Sequence, residues 1–120
     1  MRLLLDTHVW LWSLIDPAQM SPRIAKELAN PDNEIWLSPI STWEALMLAR
    51  KGLIDLGGDP QSWLREAWVK TGPKEAVLTN EVMLQSCSLQ LSHTDLADRF
   101  LAATAAVYDL TLVTADARLV

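Results

Sequence analysis

Short apolar runs alternate along this chain with longer segments whose apolar residues recur at helical spacing. Runs with the length and composition of buried strands occur at residues 3–5, 34–38, 76–78 and 111–113. Helical segments separate these runs, and neither a linker nor an internal repeat interrupts the pattern. The alternation predicts an α/β fold, a three-layer sandwich in which helices flank a mostly parallel sheet.

The helical pattern covers residues 8–15, 22–29, 61–70 and 80–89. Another helix is predicted to begin at Ser41, because Glu44 follows it at the spacing of a capping box. Thr7 is the expected cap of the first helix. Asp95 is the expected cap of a long last helix that runs to Tyr108.

Composition sets the broad class of the protein. The 120 residues suit one domain, and half of them are hydrophobic, which is enough for one buried core. The net charge of −5 argues against a broad basic face for nucleic acid, although bound metal would offset local negative charge in a nuclease. The single cysteine, Cys87, is predicted to be a small buried hydrophobe in a reducing cytoplasm. No run approaches the roughly 18 apolar residues of a membrane span.

Four acidic residues lie where predicted elements begin or end. Asp6 follows the first strand, Glu44 and Asp98 lie near helix starts, and Asp116 follows the last strand. Strand ends and neighbouring helix starts open onto one crevice in an alternating fold. Carboxylates about 4 Å apart repel by roughly 4 kcal/mol at an effective dielectric of 20. A hard cation relieves this repulsion, so the pattern predicts a Mg²⁺ or Mn²⁺ site.

Each acid also has a structural alternative. Asp6 and Asp116 are suited to cap helices, and a capping box explains Glu44 without chemistry. The helix dipole favours acids in the first turn, where Asp95 is the better cap and Asp98 the better ligand. No single acid is therefore specific for a metal site.

Taken together, four segments resemble a known family in their order and spacing. The segments are LLLDTHVWLW at 3–12, SPISTWE at 38–44, HTDLADR at 93–99 and LVTAD at 112–116. They resemble the motifs of PIN-domain ribonucleases, among them the VapC toxins of bacterial toxin–antitoxin pairs. The resemblance implies that the metal-binding catalytic acids are Asp6, Glu44, Asp98 and Asp116, with Thr7 and Thr114 as polar residues beside them.

The chain departs from that family at two places. Leu96 stands where similar proteins usually carry proline, a change at a helix start that leaves Asp98 in place. The chain ends at Val120, whereas similar proteins continue into a short helix and a fifth strand. We therefore expect a single PIN-like domain over residues 1–120, with a four- to five-stranded sheet that lacks its last strand.

The resemblance implies hydrolysis of an RNA phosphodiester by water, assisted by one or two Mg²⁺ or Mn²⁺ ions. Asp6 and Asp98 are expected at the tighter site, with Glu44 and Asp116 completing it. Arg99 has two open alternatives, contact with a substrate phosphate or support of a neighbouring carboxylate. The two histidines are too few for a zinc cluster.

The predicted first helix is apolar on almost every side, which indicates deep burial or cover by another chain. Trp63 and Trp68 are candidates for the same partner surface, whereas Trp36 and Trp43 are predicted to fill the core. The resemblance implies a homodimer and a cognate antitoxin that inserts a peptide beside the active site.

Two other functions compete with a ribonuclease. A receiver-type phosphoacceptor domain needs a pair of acids after the first strand and a late lysine, but Asp6 stands alone and no lysine follows Lys74. A catalytically inert PIN-like module that binds a partner or RNA is the stronger alternative. The early end of the chain favours it, and the retention of four acids opposes it.

Overall fold

The fold is organised around a sheet of parallel strands. The computed structural model describes residues 1–88 and 95–114. The strands are β1 (Arg2–Leu5), β2 (Glu34–Leu37), β3 (Lys74–Glu75) and β4 (Thr111–Val113). They lie in the order β3-β2-β1-β4, and each neighbouring pair is parallel. The predicted α/β class and parallel sheet are confirmed.

Helices connect the strands throughout the described ranges. They are α1 (Thr7–Ile15), α2 (Pro22–Ala29), α3 (Pro39–Arg50), α4 (Pro60–Thr71), α5 (Asn80–Ser88) and α6 (Leu96–Tyr108). A short 3₁₀ helix at Pro17–Gln19 joins α1 to α2. Three helices, α2, α3 and α4, begin with proline after a capping Ser or Asp, which suits the missing N–H and fixed φ of proline.

Helices cover both faces of the sheet, as the three-layer prediction requires. On one face Leu3 and Leu5 of β1 belong to a cluster that we call the α1 core. Its other members are Val9, Trp10, Leu11, Ile24, Leu37, Ala45, Leu56, Leu64, Ala67 and Val113. On the opposite face Leu4 belongs to the α6 core, with Ile40, Ala76, Ala97, Leu101 and Leu110. Strand β1 is apolar at three successive positions because both of its faces are buried.

The third strand lies earlier in the chain than predicted. It consists of Lys74–Glu75, whereas residues 76–78 had the stronger apolar pattern. Ala76 still donates its N–H to the carbonyl of Leu37, at 2.9 Å, and belongs to the α6 core. The carbonyl of Val77 then accepts from the Tyr108 hydroxyl and from the N–H of Thr79. These bonds turn the chain away from β2 after Ala76. Of the apolar run only Ala76 is fully buried, whereas Val77 is 49% exposed.

Two helix starts also differ from the prediction. Asp6 rather than Thr7 caps α1, and its Oδ1 accepts from the N–H of Val9 at 2.8 Å. Ser38 caps α3, with its Oγ accepting from the N–H of Ile40 at 3.1 Å. Ser41 is therefore the third residue of α3, and it cannot form the predicted capping box with Glu44.

Two core assignments are corrected by exposure, and a third holds only in part. Trp43 is 46% exposed, because α3 directs Ile40 and Ala45 toward the cores and leaves Trp43 on another side. Cys87 is exposed, since α5 buries Val82 and Ser86 at i, i+4 spacing. Trp36 packs against the α6 core as predicted, but it is only partly buried.

The surroundings of the other tryptophans are mixed. The guanidinium carbon of Arg2 lies 5.1 Å from the ring centre of Trp36. The ring of Tyr108 also packs against Trp36, with the two ring centres 5.6 Å apart. Trp63 and Trp68 are partly buried against the α1 core, and the indole N–H of Trp68 donates to the Thr42 hydroxyl at 2.8 Å. Only the exposed part of each of these two rings is therefore accessible to a partner.

Glu34 joins three strands at the opposite edge of the sheet from the strand ends that precede α1 and α3. Its carboxylate accepts from Lys74 of β3 at 3.0 Å and from the indole of Trp36 at 2.7 Å, and it lies 3.5 Å from Arg2 of β1. Two hydrogen bonds lower the pKa of Glu34 below its ordinary value. The bond from Lys74 has the larger effect and the bond from Trp36 the smaller one.

We predict that Glu34→Gln destabilises the protein at pH 7 and has a smaller effect at pH 3. Because the folded pKa lies below the unfolded one, the contribution is present above the unfolded pKa, about 4.3, and is lost as pH falls through the folded value. Urea unfolding at both pH values measures the difference. Glu66→Gln, at an exposed α4 position, is the matched control. An equal loss at both pH values would contradict an electrostatic role.

Candidate functional site

The ends of β1 and β4 meet at one edge of the sheet. These strands are parallel neighbours, with Leu5 paired to Val113. The N–H of Asp6 donates to the carbonyl of Val113 at 3.0 Å. Asp6 and Thr114, the residues that follow the two strands, therefore lie at the same edge, where α/β proteins commonly bind ligands.

Asp6 is held by the helix that it begins. Its side chain caps α1 through Val9, and its carbonyl accepts from the N–H of Trp10 at 3.1 Å. Its side chain is partly buried. The structural alternative for Asp6 is thus real, and it fixes the orientation of a carboxylate that remains at the strand edge.

A buried hydroxyl pair connects α1 to α3. The hydroxyl of Thr7 donates to Ser41 Oγ at 3.1 Å, and both residues are buried. Glu44 follows Ser41 by three residues and therefore lies one turn along the same side of α3. Since Ser38 caps this helix, the capping-box explanation of Glu44 no longer applies.

Asp98 is an exposed residue in the first turn of α6. Asp95 caps this helix as predicted, accepting the N–H of Asp98 at 3.0 Å. The preceding residue, Ala97, packs with Leu4 and Ile40 in the α6 core. The start of α6 is therefore anchored beside the end of β1 and the start of α3.

Arg99 connects α6 to α5 through its side chain, a contact that the sequence does not predict. Its Nη1 donates to the carbonyl of Ser86 at 3.0 Å, which connects α6 to α5. This bond satisfies a carbonyl in the last turn of α5. The suggested contacts of Arg99 with a substrate phosphate or a carboxylate remain predictions.

The predicted acids do not form a complete ligand set in the described part of the chain. Asp116 lies outside the described residues, as does His93. Within residues 1–88 and 95–114, no three Asp, Glu, His or Cys side chains form a group able to hold a metal ion. The donor chemistry nevertheless fits Mg²⁺ or Mn²⁺, because Asp6, Glu44 and Asp98 offer only carboxylate oxygens.

The contribution of Ser41 was missed because its hydroxyl had been interpreted as a helix cap. The sequence did contain the signal for the correct start, since Ser38 precedes Pro39 and proline favours the first helical position. That signal moves Ser41 into the helix. It does not reveal the partner of Ser41, which lies 34 residues away in sequence.

Comparison with known proteins identifies the family. The PIN domain matches residues 3–120. Ribonuclease VapC22 of Mycobacterium tuberculosis is 32% identical over 117 residues, covering 97% of this chain and 88% of that protein. The chain belongs to the PIN-domain family, and its relation to VapC22 identifies it as a VapC-type member.

Solved structures share the fold. VapBC2 from Rickettsia felis, bound to a DNA fragment from its promoter, matches with a TM-score of 0.69 at 18% identity, covering 95% of this chain and 86% of that one. A toxin–antitoxin complex from Klebsiella pneumoniae matches with a TM-score of 0.55 at 22% identity, covering 92% and 82%. In the described ranges, every helix is too short or too polar to cross a bilayer.

The capping role of Asp6 leads to a stability prediction. Asp6→Asn keeps an oxygen that accepts from Val9, so we expect nearly wild-type stability, whereas Asp6→Ala should lose about 1 kcal/mol. Urea unfolding measures both variants. Ser21→Ala, which removes the equivalent cap from α2, should cost a similar amount. Equal stability of the Asn and Ala variants would contradict the capping role.

Proposed function

We propose that this protein is a divalent-metal-dependent endoribonuclease and the toxin of a toxin–antitoxin pair. The observation that carries the proposal is its 32% identity to a ribonuclease, VapC22, over 97% of the chain. The structure supports it, because acids predicted to bind metal lie at the starts of helices beside neighbouring strand ends.

In this proposal Asp6 and Asp98 hold Mg²⁺ or Mn²⁺, and Glu44 and Asp116 complete the site. When bound, such an ion lowers the pKa of a coordinated water and offsets negative charge on the phosphodiester. The cap at α1 orients Asp6, and the hydrogen bond between Thr7 and Ser41 fixes α3 beside it. The exposure of Asp98 leaves this turn of α6 accessible to a large substrate such as RNA.

The charge of the protein is consistent with this arrangement. With a net charge of −5, the chain would repel RNA at an acidic edge that held no cation. A divalent ion would also offset the repulsion between carboxylates that it draws together at this edge. We therefore expect RNA binding at this edge to depend on the metal rather than on a basic surface.

Partners follow from the same relationship. The VapBC2 and Klebsiella pneumoniae structures are complexes of a toxin with its antitoxin, which supports a cognate antitoxin for this chain. Exposed apolar side chains on α3 and α4, notably Trp43 and Val69 at 46% and 85% exposure, offer surface for an antitoxin or a second copy in a homodimer.

The cytoplasm is the proposed location, and the exposed thiol of Cys87 suits its reducing conditions.

One observation favours a second candidate, an inert PIN-like module that binds a partner or RNA. The described ranges contain no group of three metal-binding side chains. Calorimetric titration with Mn²⁺ separates the candidates. Saturable binding by the wild type and its loss in Asp6→Asn support the nuclease, whereas absence of binding by the wild type supports the inert module.

We predict that Asp98→Asn lowers Mg²⁺- or Mn²⁺-dependent RNA cleavage at least about 100-fold, because it removes a charge on which the metal site depends. Its folding should be preserved, since the bond to Asp95 uses the main-chain N–H of residue 98. Cleavage of a fluorescent single-stranded RNA, with melting temperature measured in parallel, tests both statements.

Asp109→Asn is the matched control for this variant. It makes the same change of charge at the other end of α6, at φ 56°, a left-handed conformation that asparagine tolerates. We expect wild-type cleavage from Asp109→Asn. Wild-type cleavage by Asp98→Asn as well would show that Asp98 is not a metal ligand.

A further inference from the structure

We infer that the buried hydrogen bond between Thr7 and Ser41 positions Glu44 relative to the carboxylate of Asp6, so that Ser41 is a positioning residue for the metal site. This inference rests on the proposed function, because it assumes that these acids share an ion. It assigns to Ser41 a role other than that of a helix cap.

Both partners of this bond are removed from solvent. Thr7 is 1% exposed and Ser41 is fully buried, and the oxygen atoms lie 3.1 Å apart. Thr7 is the first residue of α1 and Ser41 the third of α3. The bond therefore connects the first turns of two helices that follow neighbouring parallel strands, β1 and β2.

The positions of Thr7 and Ser41 in their helices connect this bond to the two acidic residues. Asp6 directly precedes Thr7 and is already fixed by its bonds to Val9 and Val113. Glu44 follows Ser41 by one turn on the same side of α3. Fixing Ser41 against Thr7 therefore fixes the main-chain position of Glu44 relative to Asp6.

Apolar packing alone specifies this geometry less sharply. Ile40 and Ala45 hold α3 in the α6 core and the α1 core, respectively. Such contacts are non-directional, so they tolerate small rotations of the helix. A hydrogen bond has a preferred distance and angle, and it therefore selects one rotation of α3.

The energetics separate positioning from stability. A buried hydroxyl pair contributes little net stability, and replacement of both partners by apolar groups of similar shape is nearly neutral. Groups that orient metal ligands, by contrast, commonly change metal affinity by about 10- to 100-fold. Removing both hydroxyls should thus affect metal affinity more than folding.

The test combines Thr7→Val and Ser41→Ala in one variant and measures Mn²⁺ affinity by calorimetry and stability by urea unfolding. We expect a urea midpoint near that of the wild type and a Kd for Mn²⁺ raised about 10-fold. Thr7→Ser keeps the hydroxyl but loses a buried methyl group. It should show the opposite pattern, a lower urea midpoint with a wild-type Kd.

Ser38→Ala is the matched control on the same helix, since it removes a fully buried hydroxyl that caps α3. We expect a lower urea midpoint and an unchanged Kd for Mn²⁺. An unchanged Kd in the double variant would overturn the inference, as would an equal rise of the Kd in Ser38→Ala. Failure of the proposed function is distinguishable, because the wild type itself would then neither bind Mn²⁺ nor cleave RNA.

Discussion

The parallel pairing of β1 with both β2 and β4 is the constraint on which the rest of the structure depends. Three residues of β1, Leu3, Leu4 and Leu5, are almost fully buried, and their side chains alternate between the two cores. Burial on both faces requires helices on both sides of the sheet. Parallel pairing in turn brings the carboxyl ends of β1 and β4 to one edge, where Asp6 begins α1.

Structural and chemical roles coincide at this edge. Asp6 caps α1 and also stands where the family relationship predicts a metal ligand. A helix cap fixes the carboxylate through local bonds, so the proposed site begins with one ligand already oriented. Glu44 and Asp98 are held less directly, through the burial of Ser41 and Ala97. An ion that draws these acids together is consistent with oxygen-only donors and a protein of net charge −5.

Much of the fold was predictable because its signals are local. The strand Arg2–Leu5, the helix Pro22–Ala29 and the cap at Asp95 each depend on residues close in sequence, and each was identified within a residue or two. The third strand was misplaced because the chain turns away from β2 after Ala76, through bonds to the carbonyl of Val77 that the apolar pattern does not reveal. Cys87 was misassigned because the neighbours that cover a helix face are distant in sequence.

The amino-acid sequence by itself determined the alternation of strands and helices, the family and the identity of the acidic residues. Their order along the chain carries that information without reference to contacts. Only the tertiary structure decided that Thr7 meets Ser41 and that Trp43 faces outward. The physical reason is that hydrogen-bond partners and burial depend on which distant segments the folded sheet brings together.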